Sequence, residues 1–156
     1  MDINDSLIDQ SGKDWAAFLR GWGSVLPASF TLWIVNRFGD LFIVLDNGSV
    51  HMLDMGNSQL SRVADSRDQF AELLDVDDNA NNWLMIPLVG QLVAAGMTLG
   101  PDRCYSFTIP PVLGGTYAFD NVFTVSLAER YSLMADICRQ IKDVPDGAPV
   151  KLVVTD

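Results

Sequence analysis

The sequence predicts an α+β fold, a single domain with a largely antiparallel sheet, a central β-hairpin and several packed helices. Three observations carry this prediction. Two runs of strand-forming residues flank the pair Asn47-Gly48, which accepts the positive φ angles of a tight hairpin turn. Capping-box patterns begin at Ser66 and at Ser126, and each predicts the start of a helix. Strands and helices alternate with short connections, which favours this fold class over a doubly wound sheet.

Length and composition indicate one globular domain. The chain has 156 residues, of which 49% are hydrophobic, and this is enough to bury one sizeable core. We divide it into an N-terminal helical lead-in, residues 1–32, packed on the same domain, and an α+β body, residues 33–156. In the lead-in, Asp14 precedes an aromatic helical face of the kind that usually packs into a core, formed by Trp15, Phe18, Leu19 and Trp22.

The hairpin is expected to have a two-residue turn. Its predicted strands are Phe42 to Leu45 and Val50 to Leu53. With Asn47 and Gly48 as the turn, one face of the hairpin is wholly apolar, and it consists of Ile43, Leu45, Val50 and Met52. We expect this face to pack under a helix over residues 126–141 or a helix over residues 87–95.

The remaining elements follow from the periodicity of the apolar residues and from the positions of Gly and Pro. A further helix is predicted over residues 66–74, and the polar, acidic stretch 75–82 after it is predicted to be a loop. Gly114-Gly115 predicts a tight loop. Further strands are predicted over residues 31–36, around Leu60 and Val63, over residues 104–109 and 122–125, and at the C-terminus, where Val150, Leu152 and Val154 alternate.

The charge balance is strongly acidic. Eighteen aspartates and two glutamates stand against three lysines and seven arginines, which gives a formal net charge of −10. Such a surface repels the phosphates of nucleic acids and anionic lipids, so we predict no direct contact with nucleic acid or with a membrane. It favours a basic protein partner, although acidity also serves simply to keep a protein dispersed in solution.

The sequence predicts a cytoplasmic protein. The N-terminus lacks the basic start and apolar core of a secretory signal. The two cysteines, Cys104 and Cys138, have neither the number nor the spacing of a disulfide framework or a zinc site. The uncharged tract over residues 79–101 contains Pro87 and Gly96, which favours a buried helix over a membrane span.

No catalytic or metal-binding motif stands out, and we predict a protein that is not an enzyme and holds no metal or cofactor. His51, the only histidine, could form a nucleophile-base pair with Cys104 or a serine, but neither pair has a local signature. Residues 75–79 begin like a calcium-binding loop. Ala80 and Ile86, however, stand where that motif needs glycine and glutamate.

Five motifs follow one another in an order typical of a known family: Val35-Asn-Arg-Phe-Gly-Asp-Leu-Phe, Asn47-Gly-Ser-Val-His-Met-Leu-Asp54, Trp83-Leu, Tyr105-Ser-Phe and Pro110-Pro-Val-Leu-Gly-Gly115. In this order they resemble the C-terminal domain family of Tdi-type type VI secretion immunity proteins, over roughly Trp33 to Val154. Longer relatives in that family carry a separate N-terminal GAD-like domain, whereas here only residues 1–29 precede the resemblance. It therefore identifies residues 33–156 as an immunity-type domain.

The resemblance implies a protein that binds and neutralises a bacterial toxin, typically a nuclease, by direct contact. An acidic inhibitor can steer onto the basic surface of such a toxin. We expect residues of one acidic loop and of the hairpin to contact it, so the predicted partner-binding residues are Asp46, His51, Asp54, Asp75, Asp77 and Asp78. The alternatives are an acidic protein-interaction module of an unrelated pathway and a small-ligand sensor that uses His51 in a cleft.

Overall fold

The computed structural model describes residues 3–141, so the predicted strand around Val150, Leu152 and Val154 lies outside the described residues. Within this range the strands are β1 (Thr31–Val35), β2 (Leu41–Val44), β3 (Val50–Asp54), β4 (Gln59–Ala64), β5 (Arg103–Phe107) and β6 (Val122–Ser126). The α-helices are α1 (Trp15–Phe18), α2 (Arg67–Leu74), α3 (Asn79–Leu84), α4 (Ile86–Ala94) and α5 (Leu127–Ile141).

The strands form two antiparallel sheets. Strands β1 to β4 make a four-stranded meander in sequence order, and β5 pairs with β6 in a separate two-stranded sheet. The central strands carry buried side chains on both faces, because α5 packs on one face of the meander and α2 and α3 pack on the other. The predicted α+β fold class with a largely antiparallel sheet is confirmed.

The hairpin between β2 and β3 is present, but its predicted register is wrong by one residue. Val44 pairs with Val50 and Ile43 pairs with His51. The Gly48 N–H donates to the Leu45 carbonyl at 2.8 Å, so the loop holds three residues, 46–48, rather than two. Gly48 has a φ of +87°, as a left-handed residue at the end of a three-residue hairpin loop requires.

This shift places the side chains of β3 on the opposite face relative to those of β2, because side chains alternate along a strand. The set Ile43, Leu45, Val50 and Met52 therefore does not share one face. Phe42, Val44, Val50 and Met52 pack with Phe70 of α2 and Leu84 of α3. Leu41, Ile43 and Leu53 pack on the other side, with Leu127, Tyr131 and Met134 of α5. Both faces are apolar, so the hydrophobic pattern alone could not fix the register.

The lead-in packs on the same core as α5. Asp14 caps α1 as predicted, accepting a hydrogen bond from the Ala17 N–H at 3.1 Å. The helix is shorter than the aromatic pattern suggests, and a 3-10 turn over Arg20–Trp22 follows it. Trp22 is buried, and its indole N–H donates to the Tyr131 carbonyl at 3.0 Å. The aromatic face is thus core.

The predicted loop over residues 75–82 is wrong in its second half. Helix α3 begins at Asn79, whose side chain donates to the Leu73 carbonyl at 2.9 Å. The ring of Trp83 stacks on Phe70 with centroids 5.1 Å apart, and Leu84 is buried. Packing of these two apolar residues overrides the weak helix propensity of the asparagines that precede them.

The other helices and strands agree with the prediction. Ser66 accepts a hydrogen bond from the Gln69 N–H, and Ser126 accepts one from the Glu129 N–H, as the two capping boxes require. The tract over residues 79–101 forms two short helices separated at Met85, which has a φ of +52°. Within residues 3–141, no helix is long and apolar enough to cross a membrane.

Gly48→Val should lower the free energy of unfolding by about 1–2 kcal/mol, because a residue with a branched Cβ is strained at this positive φ. Gly100→Val is the matched control, since Gly100 has open space around it and no positive φ. Urea unfolding of both variants and the parent protein measures the difference. Equal stability of the two valine variants would contradict the left-handed conformation of Gly48.

Candidate functional site

The turn between β1 and β2 is built around two buried polar side chains, Asn36 and Asp40. Asn36 Oδ1 accepts hydrogen bonds from the backbone N–H groups of Phe38 and Asp40, each 3.0 Å long, and Gly39 between them has a φ of +82°. Asn36 Nδ2 donates to Asp40 Oδ2 at 2.8 Å and to the Trp83 carbonyl at 2.9 Å. The turn therefore satisfies its own polar groups and fastens α3 to the meander.

Helix α5 closes this network from the other side. Arg130 is 1% exposed, and it donates from Nε to the Phe38 carbonyl at 3.1 Å and from Nη1 to Ser106 Oγ at 2.9 Å. The neighbouring Tyr131 hydroxyl donates to the Gly39 carbonyl at 2.8 Å. These bonds join the meander, α5 and the two-stranded sheet.

Burial shifts the titration of Asp40. Loss of hydration and then repulsion from Asp54 raise the pKa of its carboxyl to about 6, against hydrogen bonds from Asn36 and Met55 and the attraction of Arg130, which lower it. Burial also lowers the pKa of Arg130. Because a partner or substrate cannot reach groups buried in this way, we interpret the network as part of the framework rather than as a reactive site.

The structure does not bring His51 to Cys104. His51 Nε2 lies 3.1 Å from Ser49 Oγ, whereas Cys104 is fully buried in the core beneath α5. Burial raises the pKa of the Cys104 thiol to about 12, which strongly disfavours the nucleophilic thiolate. Ser49 is 1% exposed, and its hydroxyl lies 2.6 Å from Asn47 Oδ1. Neither Cys104 nor Ser49, the serine in contact with His51, is accessible.

A pocket of about 260 Å³ lies between the lead-in and the start of α5, lined by Gly12, Lys13, Asp14, Phe18, Asp102, Ser126 and Ala128. Lys13 Nζ lies 3.3 Å from Asp102 Oδ1, so the cation in this pocket is already paired. The volume is below the roughly 300–1,000 Å³ of small-molecule sites. His51 does not line the pocket, so it gives no support to a sensor that uses this histidine.

The predicted partner-binding residues lie in separate places. Asp46 is exposed in the hairpin loop, whereas Asp54 ends β3 at its other end, about 13 Å further along a strand of this length. His51 lies between them and is half-buried. The remaining three are exposed together in the connection between α2 and α3, and they are Asp75, Asp77 and Asp78.

A different feature dominates the surface of the segment over residues 109–123. All three exposed aromatic residues of the protein lie there, and they are Tyr117, Phe119 and Phe123, with exposed fractions of 50%, 43% and 39%. Ile109, at the start of the segment, is 53% exposed. The other twelve aromatic side chains are buried or half-buried. This concentration of exposed apolar area on one segment is typical of an interaction surface.

The backbone of the 109–123 segment is held at its base by Asn121. Asn121 Oδ1 accepts from the Ile109 N–H at 3.0 Å, and Asn121 Nδ2 donates to the carbonyls of Ile109 and Thr116 at 2.9 and 2.8 Å. Gly115 packs so closely that a Cβ there would lie 1.6 Å from the Ile109 carbonyl oxygen. This contact gives a physical reason for the second glycine of the Gly114-Gly115 pair.

Asp54 is the one predicted residue that lies beside this segment. Asn57 Nδ2 donates both to Asp54 Oδ2 at 2.9 Å and to the Tyr117 hydroxyl at 2.8 Å.

Sequence reasoning missed the exposed aromatics and the buried Arg130. For the aromatics a signal was present, because Tyr117 and Phe119 follow a Gly-Gly loop outside any apolar periodicity. For Arg130 no signal was present, because arginine is mostly found at protein surfaces and nothing in the sequence indicates that this one is buried.

Residues 64–138 match the family model described as "T6SS immunity protein Tdi1, C-terminal". The match confirms the resemblance predicted from the sequence motifs. It begins after the hairpin, so it includes the last three of the five motifs and the whole 109–123 segment but not the first two motifs. Over residues 64–138 the chain is thus similar to type VI secretion immunity proteins.

No curated protein matches the chain. Among solved structures, the chain is similar to "Crystal structure of Atu4351 from Agrobacterium tumefaciens", with a TM-score of 0.48 and 12% sequence identity. The similarity covers 77% of this chain and 61% of that chain, so the protein spans less than two thirds of the length of that relative.

The stability of the protein relative to its Asp40→Asn variant should fall as the pH rises from about 4 to about 6. In this window the folded state keeps the Asp40 proton whereas the unfolded chain releases it, since the pKa is raised from 3.8 to about 6 on folding. The carboxyl thus favours the folded state most at low pH, and up to about 3 kcal/mol of this advantage is lost across the window. Above about pH 7, where the carboxyl is ionised in both the folded and the unfolded state, the difference should be constant.

Urea unfolding at pH 4, 5, 6 and 7 measures this dependence. Asp68→Asn, which removes an exposed carboxylate from α2, is the control for the loss of one negative charge. A constant difference between the parent and Asp40→Asn over the whole range would contradict the raised pKa.

Proposed function

From the match of residues 64–138 to the Tdi1 C-terminal family of type VI secretion immunity proteins, we propose that this protein acts in the cytoplasm, where it binds a type VI toxin and neutralises it by direct protein contact. The family match is the observation that carries the proposal. The toxin is proposed to be a nuclease, since a nuclease presents a basic surface to its phosphate substrate and the protein is strongly acidic.

The distribution of charge supports a basic partner. Residues 64–138 contain ten acidic and three basic residues. Nine of the ten acidic residues are exposed, whereas Arg130, one of the three basic residues, is buried. The surface of the matched region therefore carries a large excess of carboxylates, which would accelerate encounter with a positively charged toxin.

The proposed inhibition needs no chemistry from the protein. Asp40 and Arg130 are buried in the framework, and the Cys104 thiol is buried with a raised pKa. Occupation of the toxin surface is sufficient, because an inhibitor that covers the substrate groove excludes the substrate. The acidic loop Asp75, Asp77 and Asp78, together with Asp46, His51 and Asp54, remains our proposal for polar contacts at this interface.

We expect that a gene adjacent to this one encodes the toxin. Expression of that gene should stop bacterial growth, and co-expression of this protein should restore it. The two proteins should co-purify as a complex. The control is an unrelated acidic protein of similar size and net charge, which should give no protection. Degraded nucleic acid in intoxicated cells identifies a nuclease, and intact nucleic acid would contradict that part of the proposal. Growth arrest that this protein does not relieve would contradict the immunity function itself.

Reversal of the acidic loop charges should slow association with the toxin by roughly tenfold at low salt and flatten its salt dependence, because exposed charges act mainly on the association rate. The variant combines Asp75→Lys and Asp78→Lys with Asp77→Asn, since Asp77 has a φ of +49°, which asparagine tolerates better than lysine. Stopped-flow association over a salt series measures the effect.

The matched control replaces all three aspartates by asparagine, so it removes the charges without reversing them and should fall between the parent and the lysine variant. Urea unfolding verifies that each variant stays folded. Association that is unchanged in all variants would remove this loop from the interface while leaving the immunity function standing.

A further inference from the structure

We propose that the 109–123 segment is the apolar anchor of the toxin interface, with Ile109, Tyr117, Phe119 and Phe123 as the contact residues. This inference rests on the proposed function and assigns it a surface. Its occupant is a basic toxin domain that offers an apolar depression bordered by lysine or arginine.

Exposure of these side chains is unusual for this protein. Twelve of its fifteen aromatic residues are buried or half-buried, and the three exposed ones are confined to residues 117–123. Burial of an exposed aromatic side chain contributes more to association than burial of other residue types, and aromatic residues are enriched among the few that dominate binding energy. The segment therefore holds the side chains with most to gain from a partner.

The segment is also organised in advance of binding. Asn121 joins Ile109 and Thr116 through three hydrogen bonds, and the Thr108 N–H donates to the Asn121 carbonyl at 2.8 Å. Asn57 holds the Tyr117 hydroxyl at 2.8 Å. Because little backbone freedom remains to be lost, ordering costs little of the binding free energy.

The charges around the segment select the partner. Residues 109–123 contain one charged residue, the exposed Asp120, and Glu129 nearby in the sequence is also exposed. One cation lies close to the end of the segment, because the exposed Arg103 on β5 donates from Nη2 to Thr124 Oγ1 at 3.4 Å. Asp54 lies beside Tyr117 through Asn57. A second copy of this acidic chain would bring carboxylates against carboxylates, whereas a basic toxin would bring opposite charges together around the apolar contact. The charge complementarity therefore favours the toxin over self-association.

The test compares the dissociation rates of alanine variants from the purified toxin encoded by the adjacent gene, inactivated at its catalytic residue. Ile109→Ala and Phe119→Ala are the test variants, and Leu133→Ala is the matched control, since Leu133 is 39% exposed on α5, outside the segment. Each test variant should dissociate at least about tenfold faster with little change in association rate. Leu133→Ala should behave like the parent protein.

Four results would overturn the proposal. If the test variants dissociate from the toxin as slowly as Leu133→Ala, the segment is not part of the interface. Protection of cells by the parent protein would in that case still support the immunity function. The test variants could instead dissociate faster because they are less stable. A lower unfolding midpoint of the free variants, large enough to explain the faster dissociation, would show that these side chains pack against the rest of the chain and not against the toxin. A parent dimer in sedimentation that Phe119→Ala converts to monomer, with unchanged toxin dissociation, would assign the segment to a second copy. A parent protein that does not bind the toxin would remove the proposed function together with this inference.

Discussion

The hydrogen bonds around the buried Asp40 carboxylate hold both sheets and helices α3 and α5 in one arrangement. A buried carboxylate without partners costs several kcal/mol, so the fold must supply every donor that Asp40 and its turn require. Asn36 and the Met55 N–H bond the carboxylate directly, and Arg130 supplies positive charge nearby. Each of these groups comes from a different part of the chain. The requirement to satisfy one carboxylate therefore fixes the relative position of several elements.

The same network positions the 109–123 segment. Met55, which donates to Asp40, begins the turn between β3 and β4. The next residue, Gly56, accepts a hydrogen bond from the Val112 N–H at 3.1 Å, and a Cβ on Gly56 would lie 3.1 Å from the ring of Pro111. The base of the segment thus packs directly on a turn that the buried carboxylate holds in place. The segment with the exposed aromatic side chains is therefore connected to the buried polar network through Met55, Gly56 and Val112.

Most of the secondary structure could be predicted from the sequence because its signals are local. Ser66 and Ser126 cap their helices as their patterns indicate, and Gly48 occupies the left-handed position in the hairpin loop. The hairpin register could not be predicted, because both faces are apolar and only the loop length distinguishes them. Helix α3 was missed since Trp83 and Leu84 stabilise it by tertiary packing, which the asparagine-rich sequence before them does not reveal.

The site was less predictable than the fold. The acidic surface could be recognised from the composition. The charges and the alternation of side chains along a strand do not reveal which exposed residues lie together, and the structure places Asp46 and Asp54 at opposite ends of the hairpin. The family resemblance was found from motifs such as Pro110–Gly115, whose role is architectural. Arg130 belongs to the network through contacts with Phe38 and Ser106, residues distant in sequence, so its burial is visible only in three dimensions.

The distance along the chain between the two halves of the network constrains the order of folding. The Arg130 bond to Phe38 and the Tyr131 bond to Gly39 each span 92 residues. During synthesis, the β1 to β4 meander leaves the ribosome long before α5 exists, and until then its Asp40 turn lacks the cation and the hydroxyl that complete it. The meander alone is therefore a poor independent folding unit, and long-range closure of this kind slows folding. Cooperative folding of the meander and α5 follows, so a chain interrupted before Arg130 would leave the face of the meander that α5 covers exposed to aggregation.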